Sequence, residues 1–374
     1  MIVGYDATAA VRQSAGIGRY ARELLIALNA LPVEEQYRLP FAAHGASVAL
    51  PPLGPNFRPC GIPITDRVAN AMWQRLRLPV PIELRTGRLD VFHSPDFSLA
   101  PSRAPAILTV HDLAFEIMPQ VCYPTLAAYL HRVVPRCVRR AEAVIVPSNH
   151  VKSDIVKQFG TDPAKVHVIP EGSSGSFGSE PSDLDGQIVK RYRLRTPFLL
   201  TVGTLEPRKN LERLLDAFAR LRDRGSEVHL MIAGKPGWLY QGIFERHQAL
   251  GLGKTVRFLR NVDDAALASL YRRAAAVVYP SLYEGFGLPV LEALASGAPV
   301  VCSGNTSMPE VAGNAALYVD PWDVEDIAQT IEDLLSDEQL QSRLRQAGPP
   351  RAADFTWGRT AQRTHELYVQ VAHA

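Results

Sequence analysis

The chain has 374 residues, enough for about two domains at roughly 150 residues each and too many for one disulfide-stapled module. Hydrophobic residues make up 47% and charged residues 21%, which excludes intrinsic disorder and a fibrous repeat. Lys and Arg total 40 against 38 Asp and Glu; a net charge of +2 lacks the basic excess of a dedicated nucleic-acid binder, so no nucleic-acid partner is expected.

Short apolar runs alternate with helical patterns almost from end to end, as in parallel sheets covered by helices, so the expected class is α/β. In the first half, Ile2 to Tyr5, Val91 to Phe92, Ile107 to Val110, Ala143 to Val146 and Val166 to Ile169 read as strands. Helices are predicted to begin near Ile17, Asp66, Tyr123 and Asn149. Residues 172–186, GSSGSFGSEPSDLDG, have no apolar period and read as a boundary loop, with Asp183 and Asp185 a solvated pair inside it. Phe198 to Val202, Val228 to Ile232, Thr255 to Leu259, Ala276 to Tyr279, Pro299 to Cys302 and Ala316 to Val319 then read as a second strand series. Two doubly wound domains in tandem, 1–185 and 186–355, explain the pattern. In 356–374, Trp357, Ala361, Thr364, Tyr368 and Val371 fall at three- and four-residue steps, which predicts an amphipathic helix that needs a surface to cover.

Cys60, Cys122, Cys137 and Cys302 form no C-x-x-C pair, so free thiols in a reducing compartment are expected. No apolar run reaches the ~18 residues that span a bilayer, and MIVGYDAT lacks the pattern of a secretory signal. The expected location is cytoplasmic.

Four segments carry candidate chemistry. In YPSLYEGFGLPVLEALASGAPVV a strand ending at Tyr279 leads through a loop into a short helix from Pro289 to Ser296, with Gly297 as its cap. Gly285 and Gly287 leave backbone N–H groups open near the positive helix end, and Glu284 and Glu292 flank it. The pair suits sugar hydroxyls on either side of a phosphate; an ordinary turn with two surface glutamates fits equally. In LLTVGTLEPRKNLERLLDAF, Arg208 and Lys209 fall just before a helix start at a sheet edge, where they suit an anion such as a diphosphate or are solvated loop charge. His111 ends a central strand in AILTVHDLAFEIMP, where it can bind phosphate, bond a hydroxyl, shuttle a proton or serve structure. In AGIGRYARELLIAL, Gly16 and Gly18 let backbone approach a ligand.

That last segment also fits G-x-G-x-x-A with Glu34 and Glu35 downstream, so an NAD-dependent oxidoreductase is a rival. About ten residues separate Tyr5 from Gly16, however, where the dinucleotide fingerprint follows its strand directly. No metal motif is present, and none is expected to be needed.

Taken together, these residues resemble the retaining GT-B-fold glycosyltransferases of family four (group 1), mannosyltransferase-like bacterial members included. The resemblance spans nearly the whole chain. Its most specific element is Glu, seven residues, Glu, filled by Glu284 and Glu292; GTLEPRKN, VFHSPDFSLAP and VIVPSNHVKSDI add to it. It implies two Rossmann-like domains facing each other across a cleft: the first binds the acceptor, the second the nucleotide-sugar donor, and the terminal helix packs back on the first. Arg208 and Lys209 look like the cations on the donor diphosphate, with Gly203 and Thr204 beside them. Glu284 looks like the donor-sugar contact, aided by Gly285, Phe286, Gly287 and Leu288. Glu292 looks like the ribose ligand, and Val262 like the backbone contact to the base. His111 looks like the residue facing the reacting sugar. Gly16 matches a glycine of the loop near the phosphates and acceptor, although Ala15 stands where the family often has a first glycine. The family often has Asn-Gly-Val-Asp where this chain reads PEGSSGSF, and Glu171 receives no role.

The implied reaction is metal-independent transfer of a hexosyl group from a nucleotide-diphosphate sugar to an acceptor hydroxyl, with retention, in glycan, glycolipid or surface polysaccharide synthesis. SMPEVAGNAALYVDPWD resembles mannosyltransferase-like members, so GDP-mannose leads as donor and a UDP-hexose follows. A sugar or lipid-linked sugar is the expected acceptor. Arg75, Arg77, Arg85 and Arg88 beside Trp73, and four arginines in AYLHRVVPRCVRRA, suit a peripheral contact with an anionic membrane or solvated basic faces. A nucleotide-sugar epimerase of the same fold is the second rival.

Overall fold

A computed structural model describes residues 1–13 and 16–373; Ala15 lies outside the described residues. The chain divides into two compact units. The first comprises Met1–Glu116, Thr125–Gly172 and Thr356–Ala374, and the second Ile117–Pro124 and Ser173–Phe355.

The first unit holds β1 (Ile2–Tyr5), β2 (Gln36–His44), β3 (Phe57–Thr65), β4 (Val91–Ser94), β5 (Ala106–Thr109), β6 (Ala143–Val146) and β7 (Val166–Val168). They form one parallel sheet in the order β3-β2-β1-β4-β5-β6-β7. Strands β4, β5 and β6 are buried throughout, as a sheet covered on both faces requires. Sequence periodicity did not disclose β2 and β3, which carry Pro40, Pro59 and Pro63. The prolines are tolerated because β3 is an edge strand, and Pro40 lies past the registered β1–β2 pairs Ile2–Gln36, Val3–Tyr37 and Gly4–Arg38.

The last helix, Trp357–Ala372, belongs to this unit. Its five periodic positions Trp357, Ala361, Thr364, Tyr368 and Val371 are all buried. Against the helix Ile17–Asn29 and β1 they complete a core with Tyr5, Tyr20, Leu24 and Leu28. The Tyr368 hydroxyl meets His93 Nδ1 at 2.7 Å, and His93 Nε2 meets Thr109 Oγ1 at 2.8 Å, tying the helix to β4 and β5. Burial, reinforced by nearby His111, pushes the His93 imidazole down to about 3, so it is neutral.

The second unit holds β8 (Phe198–Val202), β9 (His229–Ala233), β10 (Val256–Leu259), β11 (Ala276–Tyr279), β12 (Val300–Ser303) and β13 (Leu317–Val319). Its parallel order is β10-β9-β8-β11-β12-β13. All six lie within one residue of their expected limits, because each is a short, mainly apolar run closed by turn residues.

Residues 172–186 are not wholly a loop. Ser182 caps the helix Asp183–Arg191 in a reciprocal box with Asp185, and Asp185 pairs with Arg272 at 2.6 Å. Asp185 is thus an anchor of the second unit, and the change of unit falls at Gly172–Ser173. A serine-rich stretch hid the helix start because capping residues and loop residues are the same types.

Candidate active site

The site forms where β8 and its neighbour β11 end. After Val202 the chain passes Gly203 at φ 149°, a conformation reserved for glycine, and a Cβ there would touch the Lys209 stem at 3.3 Å. Gly234, after β9, lies so close that a Cβ on it would meet the Gly203 carbonyl oxygen at 1.8 Å. Thr204 is half-buried and packs against Gly237, which accepts no Cβ either. A 3-10 turn, Pro207–Lys209, then presents Arg208 and Lys209. Asn210 reverses the chain at φ 58° and starts the helix Leu211–Asp223. Its amide donates to the carbonyls of Pro280 (3.0 Å) and Pro321 (2.6 Å), clamping the turn onto the loops after β11 and β13.

From the other side, the loop after Tyr279 is fixed by Ser307, whose hydroxyl donates to the carbonyls of Glu284 and Phe286 at 2.9 Å each. Ser303 donates to Ser281 O at 2.7 Å, and Leu282 N to Arg208 O at 2.9 Å. These bonds bring Glu284 onto both cations. Lys209 Nζ donates to Glu284 Oε1 at 2.5 Å and Arg208 to Oε2 at 2.8 Å. Oε1 also accepts from Tyr279 at 3.1 Å and Ser281 at 2.7 Å. Buried Glu206 pairs with the second Arg208 nitrogen at 2.7 Å.

Arg208 and Lys209 side chains are only 15% and 12% exposed, so the solvated-loop alternative fails for both. Burial alone would raise the Glu284 carboxyl, but the facing Arg208 and Lys209 charges and its hydrogen bonds bring it down to about 2. Lys209 is lowered, first by burial and then by Arg208, against the pull of Glu284 and Glu206. Two cations and two carboxylates thus stand buried together, and each charge is compensated inside the cluster.

Gly287, at φ 107°, opens the helix Leu288–Ala295 with Pro289 in its first turn and no side-chain cap, and Gly297 closes it at φ 69°. Gly285 is buried in the same loop, and Leu288 is half-buried. Glu292 is no surface glutamate: it is buried and accepts from the Tyr271 hydroxyl at 3.2 Å. Phe286 packs into the core edge-to-face on Phe355, so only its backbone can serve a ligand. Val262, after β10, is half-buried on the same core.

In the first unit Gly16 precedes the helix Ile17–Asn29 at φ 55°, and among the described residues no atom lies within 4 Å of where a Cβ would stand. Gly18 has another reason: its Cβ would meet the Gln13 carbonyl oxygen at 2.1 Å, so it is a packing glycine rather than part of a cofactor fingerprint. His111 is buried after β5, beside Glu171. Sequence reading missed Glu206, Asn210, Ser281 and Ser307; only Asn210, next to the predicted helix start, carried a local signal.

The fold defines an α/β protein of GT-B type, and the edge of its second sheet carries this buried charge cluster. Residues 188–351 match the family model of glycosyl transferases group 1, and residues 14–173 that of glycosyltransferase family 4. O-antigen chain mannosyltransferase B of Escherichia coli is 31% identical over 284 residues, 74% of each chain. The MMP alpha-(1->4)-mannosyltransferase of Mycolicibacterium hassiacum is 31% identical over 238 residues, 62% of this chain and 55% of its own. Among solved structures, sucrose-phosphate synthase from Thermosynechococcus elongatus superposes with a TM-score of 0.78 at 20% identity, covering 99% of both chains. Anabaena HepE in complex with UDP and glucose gives 0.73 at 19%, covering 98% of both. The chain belongs to glycosyltransferase family 4 and is a glycosyltransferase, which displaces the oxidoreductase reading.

Proposed function

We propose that this enzyme is a retaining mannosyltransferase that takes its sugar from GDP-mannose, with a UDP-hexose as second choice, and passes it to a sugar or lipid-linked sugar in polysaccharide assembly. Both of these relatives are named mannosyltransferases, one of them of an O-antigen chain, which supports mannose as the sugar and a growing glycan chain as the acceptor. The observation that carries the reading is the buried Arg208–Lys209–Glu284 cluster beside the uncapped helix start at Gly287.

As the bond between sugar and diphosphate breaks, negative charge grows on the leaving group, and the transition state is oxocarbenium-like. Arg208, Lys209 and the helix dipole then gain most, so they stabilise the transition state more than the bound donor. They supply positive charge that a divalent ion would otherwise bring, and transfer is expected to proceed without metal. Glu284, low in basicity and held by four donors, is a poor nucleophile, which favours front-side attack of the acceptor hydroxyl guided by the leaving phosphate. Glu292 is assigned to the ribose, and Val262 to the base.

Thermal-shift titration with GDP, UDP, ADP and dTDP tests the donor. GDP is expected to raise the melting temperature most, since a ligand at 100 times its Kd adds about 2.7 kcal/mol. A UDP preference transfers the assignment to the second donor, and silence toward all four nucleotides overturns it. Consumption of the sugar nucleotide without acceptor would instead make the protein an epimerase.

Among the described residues no helix is long and apolar enough to cross a membrane. Peripheral attachment at the cytoplasmic membrane face is proposed instead, through residues 68–88. There Val68, Leu76, Leu78 and Leu84 are exposed among exposed Arg75, Arg77, Arg85 and Arg88. In the helix Pro124–Arg140, by contrast, Arg136 and Arg140 turn onto Gln74 and Leu99. Co-sedimentation with phosphatidylglycerol vesicles at low salt should capture the protein, and no binding there ends the membrane assignment.

A further inference from the structure

Glu171, which the sequence left without a role, stands against His111, and both are buried in the first unit. His111 Nε2 lies 2.9 Å from the Pro95 carbonyl oxygen. A carbonyl only accepts, so that nitrogen carries a hydrogen. Nδ1 lies 3.4 Å from Glu171 Oε1, and an ionised carboxylate also only accepts. A neutral ring with its one hydrogen on Nε2 would therefore aim a lone pair at a carboxylate. A second proton, on Nδ1, turns that repulsion into a charge-assisted contact.

We propose that Glu171 is a positioning residue that holds His111 as an imidazolium, a fixed positive charge inside the first unit and not a proton-accepting base. The pair lies wholly within the first unit and does not depend on the assigned activity.

The groups that face His111 come from several elements. Glu171 follows β7 and Asp96 follows β4, and both favour the cation. Tyr20, from the helix Ile17–Asn29, sets its ring edge-to-face at 4.6 Å, and Phe97 does so at 5.9 Å. His93, in β4, is neutral and adds no competing charge. Burial works against the imidazolium; Glu171, the Pro95 carbonyl and Asp96 outweigh it, and His111 titrates above the ordinary histidine value. By linkage, whatever stability this proton binding gives the fold is full below pH 6.5 and is lost as pH rises through the folded-state value.

The experiment uses the full chain labelled with 15N,13C-histidine, with the His111 ring assigned by its loss in His111→Asn. In wild type both ring nitrogens should read as protonated at neutral pH. In Glu171→Gln, which keeps the shape and removes the charge, the His111 midpoint should move to lower pH, and Glu171→Asp should bring it part of the way back. A neutral His111 ring in wild type, or equal midpoints in wild type and Glu171→Gln, would overturn the pair. A shifted midpoint in a protein that transfers no sugar would leave the pair standing and remove the assigned activity alone.

Discussion

Replacing Lys209 with alanine is expected to lower hexosyl transfer about 10²- to 10³-fold while the protein stays folded, the effect of removing one preorganised donor to a developing charge. The fold should survive because Glu284 keeps Arg208, Ser281 and Tyr279 as partners when the lysine is gone. The loss belongs mainly to kcat, since the positive charge matters most when the diphosphate departs. Lys209→Ala and Glu284→Gln share a contact, so their combined effect should fall short of the sum of the two. Single-turnover rates with saturating donor check this, and near-normal turnover in Lys209→Ala would take the residue out of the mechanism.

Gly234→Ala should be among the most damaging small changes in the second unit, although Gly234 touches no substrate in the proposed reaction. The added methyl would sit 1.8 Å from the Gly203 oxygen and 2.9 Å from its carbonyl carbon. Backbone cannot rotate aside as a side chain can, so β8 and β9 must part at the point where the donor loop begins. Overpacking of this kind costs about 1–3 kcal/mol and occasionally more. The displaced Gly203 would carry the Lys209 stem with it, so the nucleotide response should vanish along with several degrees of melting temperature. Gly186→Ala is the control: it lies inside the helix Asp183–Arg191 with nothing within 4 Å, and alanine there should be neutral or slightly stabilising. Equal melting temperatures for Gly234→Ala and Gly186→Ala would refute the steric argument.

Much of the second unit was legible in the amino-acid order because its strands are short, mainly apolar runs between turn residues and its candidate site residues lie just past strand ends. Arg208, Lys209 and Glu284 could be found that way, since loop positions between a strand and a helix are where charge faces a ligand. What could not be read is distance in the chain. Ser307 gains its meaning from the Glu284 and Phe286 carbonyls, 23 and 21 residues earlier, and Glu171 from a histidine 60 residues earlier. No local period encodes such pairs. The strands β2 and β3 escaped for a different reason: their prolines argue against a strand until the edge position and the β1 register are known. Gly18 misled in the opposite sense, because a glycine required by a neighbouring carbonyl looks like one required by a cofactor.

The placement of the helix Trp357–Ala372 fixes an order of manufacture. As the ribosome releases the chain, residues 173–355 emerge complete and can bury their own apolar surface. The earlier-made portion must meanwhile wait, with the His93 ring lacking the Tyr368 hydroxyl that arrives 275 residues later. The half that is synthesised first is therefore the half that is sealed last, and until then it depends on staying clear of its neighbours in the crowded cell.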